Sequence, residues 1–147
     1  MLLESVVFAV GLWGLSRNFI PLLDKVGLPL NSIHFQPVAT GQVVRFLGAG
    51  IYEEVLFRLG LFSGLVLLLR MVLLPKFLAI LIAGIVGALA FSAAHHLGPA
   101  GEELTAPKFL FRTVAGLIFT AIYAGRGLGT AVCSHAGYNI LVGVSVE

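Results

Sequence analysis

Charge is what this chain has least of. Lys, Arg, Asp and Glu together make up 11% of its 147 residues, against about 25% in soluble domains. Hydrophobic residues reach 59% and the mean hydropathy is +1.03, which excludes a soluble globular protein. A single cysteine, Cys133, excludes an internal disulfide and a Cys-rich metal site. Asp24 is the one aspartate, so an intramembrane aspartyl dyad cannot be built, and the zincin sequence H-E-x-x-H is absent. Ser92 and Ser134 lie near histidines, yet neither sits in a G-x-S-x-G elbow. Cys133 is two residues from His135 and so points to a different side of any shared helix. The basic residues are scattered at segment ends for a net charge of +2, which gives no nucleic-acid patch. The apolar runs are continuous rather than alternating, which excludes a β-barrel.

What is present is a set of apolar segments of membrane-spanning length, at about 20 residues per span. They run roughly from Leu2 to Leu23, Val43 to Leu74, Phe77 to Leu97, Lys108 to Ala124 and Leu128 to Val146. The fold expected is all-α: a polytopic transmembrane bundle of about five to six helices, in one membrane domain over residues 1–147. The first segment lacks a basic start and carries Glu4, so it reads as a retained span rather than a cleaved signal peptide. The second is longer than one span needs, and either tilts and projects or breaks near Gly60. Pro75-Lys76 makes a short stop that sets the second and third segments antiparallel. Asp24 to Gly41, with Gly27, Pro29 and Pro37, reads as an extramembrane loop. Gly98 to Pro107 reads as a second loop, with Glu102 and Glu103 solvated. Gly125-Arg126-Gly127-Leu128-Gly129 lacks the G-x-G-x-x-G spacing and reads as a tight interhelical turn. Small residues, Ala83 with Gly87 and Gly116 with Thr120, mark close helix approaches. Basic residues fall on both sides of the bundle and give no orientation.

Against that background the ionisable residues at membrane depth are conspicuous: Glu53, Glu54 and Arg58 in one segment, His95 in the next, His135 and Asn139 in the last. A charge near the bilayer centre costs roughly 3 kcal/mol on an insertion scale, so the first three ask for about 7 to 10 kcal/mol before pairing. Glu54 and Arg58, four apart, share a helix face in the favourable order and are expected to pair. Glu53 is rotated away and left without a partner on its own helix, the condition for a proton-transferring carboxylate; the structural alternative is a pair with a cation elsewhere, such as Arg112. His95 follows Phe91 by one turn and packs beside it. His135 and Asn139 repeat the four-residue interval and put an imidazole and a carboxamide on one face, both able to donate to an oxygen that gains charge. His96 reads as an interfacial neighbour.

The order E-E-x-x-x-R, F-x-x-x-H, H-x-x-x-N, from Glu53 to Asn139, resembles the intramembrane endopeptidase family that includes CAAX prenyl-protein proteases and bacteriocin-processing enzymes. Phe57 before Arg58 and the stretch from Arg112 to Gly116 look like the family too. The resemblance implies a catalytic core over residues 43–146, in which Glu53 activates a water with help from His95. His135 and Asn139 hold the developing oxyanion, and Glu54 and Arg58 shape and neutralise the site. It implies membrane lipids and a membrane-associated protein or lipidated peptide as partners, and no nucleic acid. It also implies a multi-pass protein, of the cell membrane if the source is prokaryotic. No cofactor is expected; the alternative is zinc held by His95, His135 and Glu53, an acceptable ligand set. Two other readings use the same residues: a catalytically silent, immunity-type protein that holds a partner, and a proton carrier using Glu53 and the histidines as a relay. Simple parallel spans put His95 and His135 on opposite sides of the bilayer, so strong tilt or partial spans must bring them together.

Overall fold

The structure of the chain, a computed structural model, describes residues 1–25, 42–98 and 101–144. Every regular element in it is helical: α1 (Leu2–Lys25), α2 (Gln42–Glu54), a π-helical segment (Val55–Phe62), α3 (Ser63–Met71), α4 (Lys76–Ala94), α5 (Ala106–Arg126) and α6 (Leu128–Val144). Since α2, the π segment and α3 follow one another without interruption, the described residues form five rods, within the five to six that the apolar segments imply. The loop expected from Asp24 to Gly41 falls on residues 26–41, outside the described residues, while Asp24 and Lys25 complete α1.

The long second rod does not break at Gly60. It widens there instead, because the π segment hydrogen-bonds one residue further along than an α-helix does. Ser63 at its end returns to the Arg58 carbonyl with both its backbone N–H and its hydroxyl, the latter at 3.0 Å. The rod then turns at Leu73, which sits at a φ of 61°. Pro75, as N-cap, starts α4 back along it. Helix α5 begins at Ala106, earlier than the loop boundary read from sequence, because Pro107 is pre-set for a first helical turn. One residue, Gly127 at a φ of 85°, joins α5 to α6, a conformation that favours glycine.

Helix α5 runs antiparallel to α4 in close register. The Ser92 hydroxyl donates to the Phe109 carbonyl at 2.7 Å, a Cβ on Gly116 would meet the Ala88 Cα at 3.1 Å, and one on Gly84 would meet the Thr120 methyl at 3.8 Å. The backbone of helix α6 lies against α1, α2, the π segment and α5, and α6 meets α4 through side chains, with the Phe91 and His135 rings 5.9 Å apart. His95 and His135 both come within 3.6 Å of Glu53, so they are not separated as simple parallel spans would have them. The core between α1, α5 and α6 is built from Ala9, Leu12, Phe19, Phe111, Ala115 and Phe119.

Outside this core the molecule is inverted relative to a soluble protein. Val6 and Val10 on α1, Leu56 and Leu59 on the π segment, and Leu81, Ile85 and Leu89 on α4 all face outward. Contiguous apolar surface on this scale is rare on soluble monomers and expected where lipid is the solvent. Helices α1, α4 and α5 are each long and apolar enough to cross a membrane.

Candidate functional site

The ionisable residues of the second rod sit where it passes between the end of α4 and the middle of α6. Glu54 and Arg58 are paired as their spacing requires: Arg58 Nη1 is 3.1 Å from Glu54 Oε1, with both side chains almost completely buried. The contact is Coulombic in character, since Nη1 makes no aligned hydrogen bond. The directional bond of the guanidinium is from Nη2 to the Gly116 carbonyl of α5 at 3.2 Å. Its plane is also flanked by aromatic rings, with Cζ 4.5 Å from the Phe91 centroid and 5.4 Å from that of Phe119. A desolvated guanidinium gains appreciably from such faces.

Glu54 reaches a second partner. His135 Nδ1–H donates to Glu54 Oε1 at 2.8 Å, and the imidazole stacks on Phe119 with centroids 4.4 Å apart and planes 18° from parallel. The sequence reading divides Glu54–Arg58 and His135–Asn139 into separate pairs; in the structure Glu54 joins them across 81 residues. Phe119 is a site residue that the sequence does not reveal. Nothing in an apolar helix distinguishes a phenylalanine that orients a histidine from one that fills space.

His95 is fixed in a parallel way. Its ring packs on Phe91 with centroids 4.7 Å apart, and Nδ1–H donates to the Phe91 carbonyl at 2.8 Å. A carbonyl can only accept, and so can an ionised carboxylate, so both histidines carry their proton on Nδ1 and aim Nε2 elsewhere. Both aim at one atom: Glu53 Oε2 is 3.6 Å from His95 Nε2 and 3.6 Å from His135 Nε2. These separations are too long for direct hydrogen bonds, and Oε2 is buried without a hydrogen-bond partner among the described residues. The site is graded in exposure. The Glu53 and His95 side chains are 20% and 19% exposed, whereas those of Glu54, Arg58 and His135 lie at 0%, 1% and 5%.

Of the six residues singled out from sequence, five therefore converge. Asn139 lies one turn beyond His135 on α6, half-buried, and makes no hydrogen bond to the cluster among the described residues. Arg112, the alternative partner for Glu53, pairs with Glu102 instead, which also corrects the expectation that Glu102 is merely solvated. Ser92 and Ser134 spend their hydroxyls on the carbonyls of Phe109 and Thr130, each at 2.7 Å. Cys133 faces away from the cluster, into an apolar groove of about 300 Å³ between α1 and α6. No group of three His, Cys, Asp or Glu side chains among the described residues is arranged to hold a metal ion.

No curated protein and no solved structure matches the chain. The family model described as type II CAAX prenyl endopeptidase Rce1-like matches residues 36–141, which takes in the second rod, α4, α5 and most of α6. With well over half of its length matched, the chain belongs to the Rce1-like type II CAAX prenyl endopeptidase family.

Proposed function

We propose that this integral membrane protein is a multi-pass intramembrane endopeptidase that hydrolyses a peptide bond of a membrane-associated protein or lipidated peptide, with a water activated by Glu53 as nucleophile. The observation that carries the proposal is the convergence of two imidazole Nε2 atoms on one carboxylate oxygen, 3.6 Å from each. Three acceptors around a point repel one another unless a donor joins them, and a water beside the three has protons for two. The reactive form carries a second proton on His135, at Nε2, which supplies a further donor to the group.

The chemistry follows in two steps. As the water oxygen bonds to the scissile carbonyl carbon, one of its protons passes to Glu53 Oε2, while His95 Nε2 accepts a hydrogen bond from the other. The carbonyl becomes an oxyanion, to which protonated His135 and the Asn139 carboxamide, one turn further along α6, donate. Glu53 then returns its proton to the amide nitrogen, the C–N bond breaks, and a carboxylic acid and an amine form, the acid giving its remaining proton to the amine as they leave. Glu54 holds His135 by Nδ1–H, and Arg58 balances Glu54. Zinc held by Glu53, His95 and His135 would instead polarise the carbonyl and the water; no step above needs it.

The test is cleavage of a panel of lipidated C-terminal peptides and of leader peptides by the purified protein in bilayers, beside Glu53→Gln. The expected result is cleavage by the wild type and none by the variant, with expression and fold retained. Residual turnover within about tenfold of wild type would remove Glu53 as the base, since general base catalysis contributes about 10² to 10⁴. No cleavage by either, with substrate still bound, would point to a silent, partner-holding protein. Activity lost on chelation and restored by zinc would overturn the metal-free step.

A further inference from the structure

His95 is the first residue past the last turn of α4, an insecure place for a reacting group, because helix ends fray. Among the described residues its ring hydrogen-bonds only to the same turn, through Phe91. What stops that turn from opening is contributed by the following loop, and chiefly by one residue. The Glu102 backbone N–H donates to the His95 carbonyl at 2.9 Å. The Glu102 carbonyl accepts from His96 Nδ1–H at 3.0 Å. The Glu102 carboxylate pairs with Arg112 on α5, and His96 stacks on Phe109 one turn before Arg112, at 6.1 Å.

Gly101 shows how tightly this loop is pressed onto the helix end. A Cβ there would fall 2.8 Å from the His96 carbonyl carbon and 2.9 Å from its oxygen, a backbone contact that no side chain tolerates. The pair itself lies close enough for both its charges to act on the His95 ring. Since the ion pair is only partly buried, at 25% and 43% exposure, its direct contribution to global stability is small. Its location, bridging the end of α4 to α5 beside a residue of the cluster, gives it a local task.

We propose that Glu102, anchored by Arg112, is a positioning residue that straps the end of α4 to α5 and so holds the His95 imidazole toward Glu53. Neither residue touches the reacting atoms; the strap acts through the His95 carbonyl and the His96 ring. The proposal rests on the peptidase reading, and a measurement independent of turnover separates the two.

Arg112→Gln releases the anchor and leaves the Glu102 backbone in place, whereas Gly101→Ala lifts the loop and leaves both charges in place. Each is expected to lower kcat about tenfold to a hundredfold per folded molecule with KM within about twofold, the signature of lost alignment. The exchange Glu102→Arg with Arg112→Glu restores kcat to within about threefold. In parallel, ¹⁵N NMR of the His95 ring in detergent is expected to show one Nδ1–H tautomer in wild type and in the exchange variant, and averaged nitrogens in Arg112→Gln and Gly101→Ala. If the wild type cleaves nothing, the peptidase reading fails and the ring spectra still test the strap. An unchanged tautomer and an unchanged kcat in both single variants, or a rise in KM alone, overturns the strap.

Discussion

Glu53 and Glu54 are neighbours with opposite circumstances, and the difference decides what each substitution does. Glu54 is fully buried against Arg58 and His135. Removing its charge leaves a guanidinium buried without its counter-ion, and breaking such a pair costs about 3 to 5 kcal/mol. We expect Glu54→Gln to lower thermal stability in detergent sharply, with His135 Nδ1–H left a neutral amide acceptor in place of a carboxylate. A variant that melts with the wild type would contradict the pair. Glu53→Gln, at a partly exposed position with no aligned hydrogen bond, is expected to melt within a few degrees of wild type while losing turnover. The four-residue interval makes the Glu54–Arg58 pair legible in the sequence, because helix geometry alone puts those groups on one face. The bond from His135 to Glu54 is not legible there, since it depends on which rods cross where. Glu102 reads as solvated because a loop glutamate carries no trace of the arginine that will meet it.

Among the elements, the π segment is the one that hydropathy does not report. The second apolar run is visibly too long for one span, yet Gly60 looks like a break when the chain stays helical and widens instead. A π turn and an α turn share the same apolar composition and differ in which carbonyl each N–H reaches, so the pattern of residues is nearly silent between them. π turns inside helices recur at functional sites, and this one begins directly after Glu54 and carries Arg58. Its C-terminal end is tied by Ser63, whose hydroxyl contacts the Arg58 carbonyl at 3.0 Å and the Tyr123 hydroxyl of α5 at 2.9 Å. With lipid outside and no water to replace these partners, Ser63→Ala is expected to cost about 1 kcal/mol, as is Tyr123→Phe. Because they share one hydrogen bond, the double variant should cost less than the sum by about 0.5 kcal/mol or more. Denaturation of the four proteins in detergent checks the cycle, and strict additivity would sever Ser63 from Tyr123.

At the scale of the whole molecule, the cluster exists because separate rods approach closely at small residues. The number of rods and their approximate limits follow from apolar run lengths, since lipid thickness fixes what a span must be. Their crossings do not, because any apolar face packs acceptably on any other in lipid and the choice falls to a few small side chains. Gly116 admits Ala88 and Phe91, which brings the α5 carbonyl to Arg58. Gly50 admits Ala136: a Cβ at Gly50 would lie 3.1 Å from the Ala136 nitrogen and 3.2 Å from its Cα. One turn after Gly50 comes Glu54, and the residue before Ala136 is His135, so the spacing of α2 from α6 sets the reach of both glutamates to that imidazole. Gly50→Val must part the two helices. Overpacking of this kind costs about 1 to 3 kcal/mol, and a shift of about 1 Å at the reacting groups is enough for a hundredfold loss of rate. Gly48 supplies the control, being on the same helix and exposed, where an added Cβ would meet nothing within 4 Å. We expect Gly48→Val to keep wild-type turnover and Gly50→Val to lose at least tenfold while both remain helical and folded by circular dichroism. Equal turnover in the two variants would mean that the α2–α6 spacing is not what aligns the site.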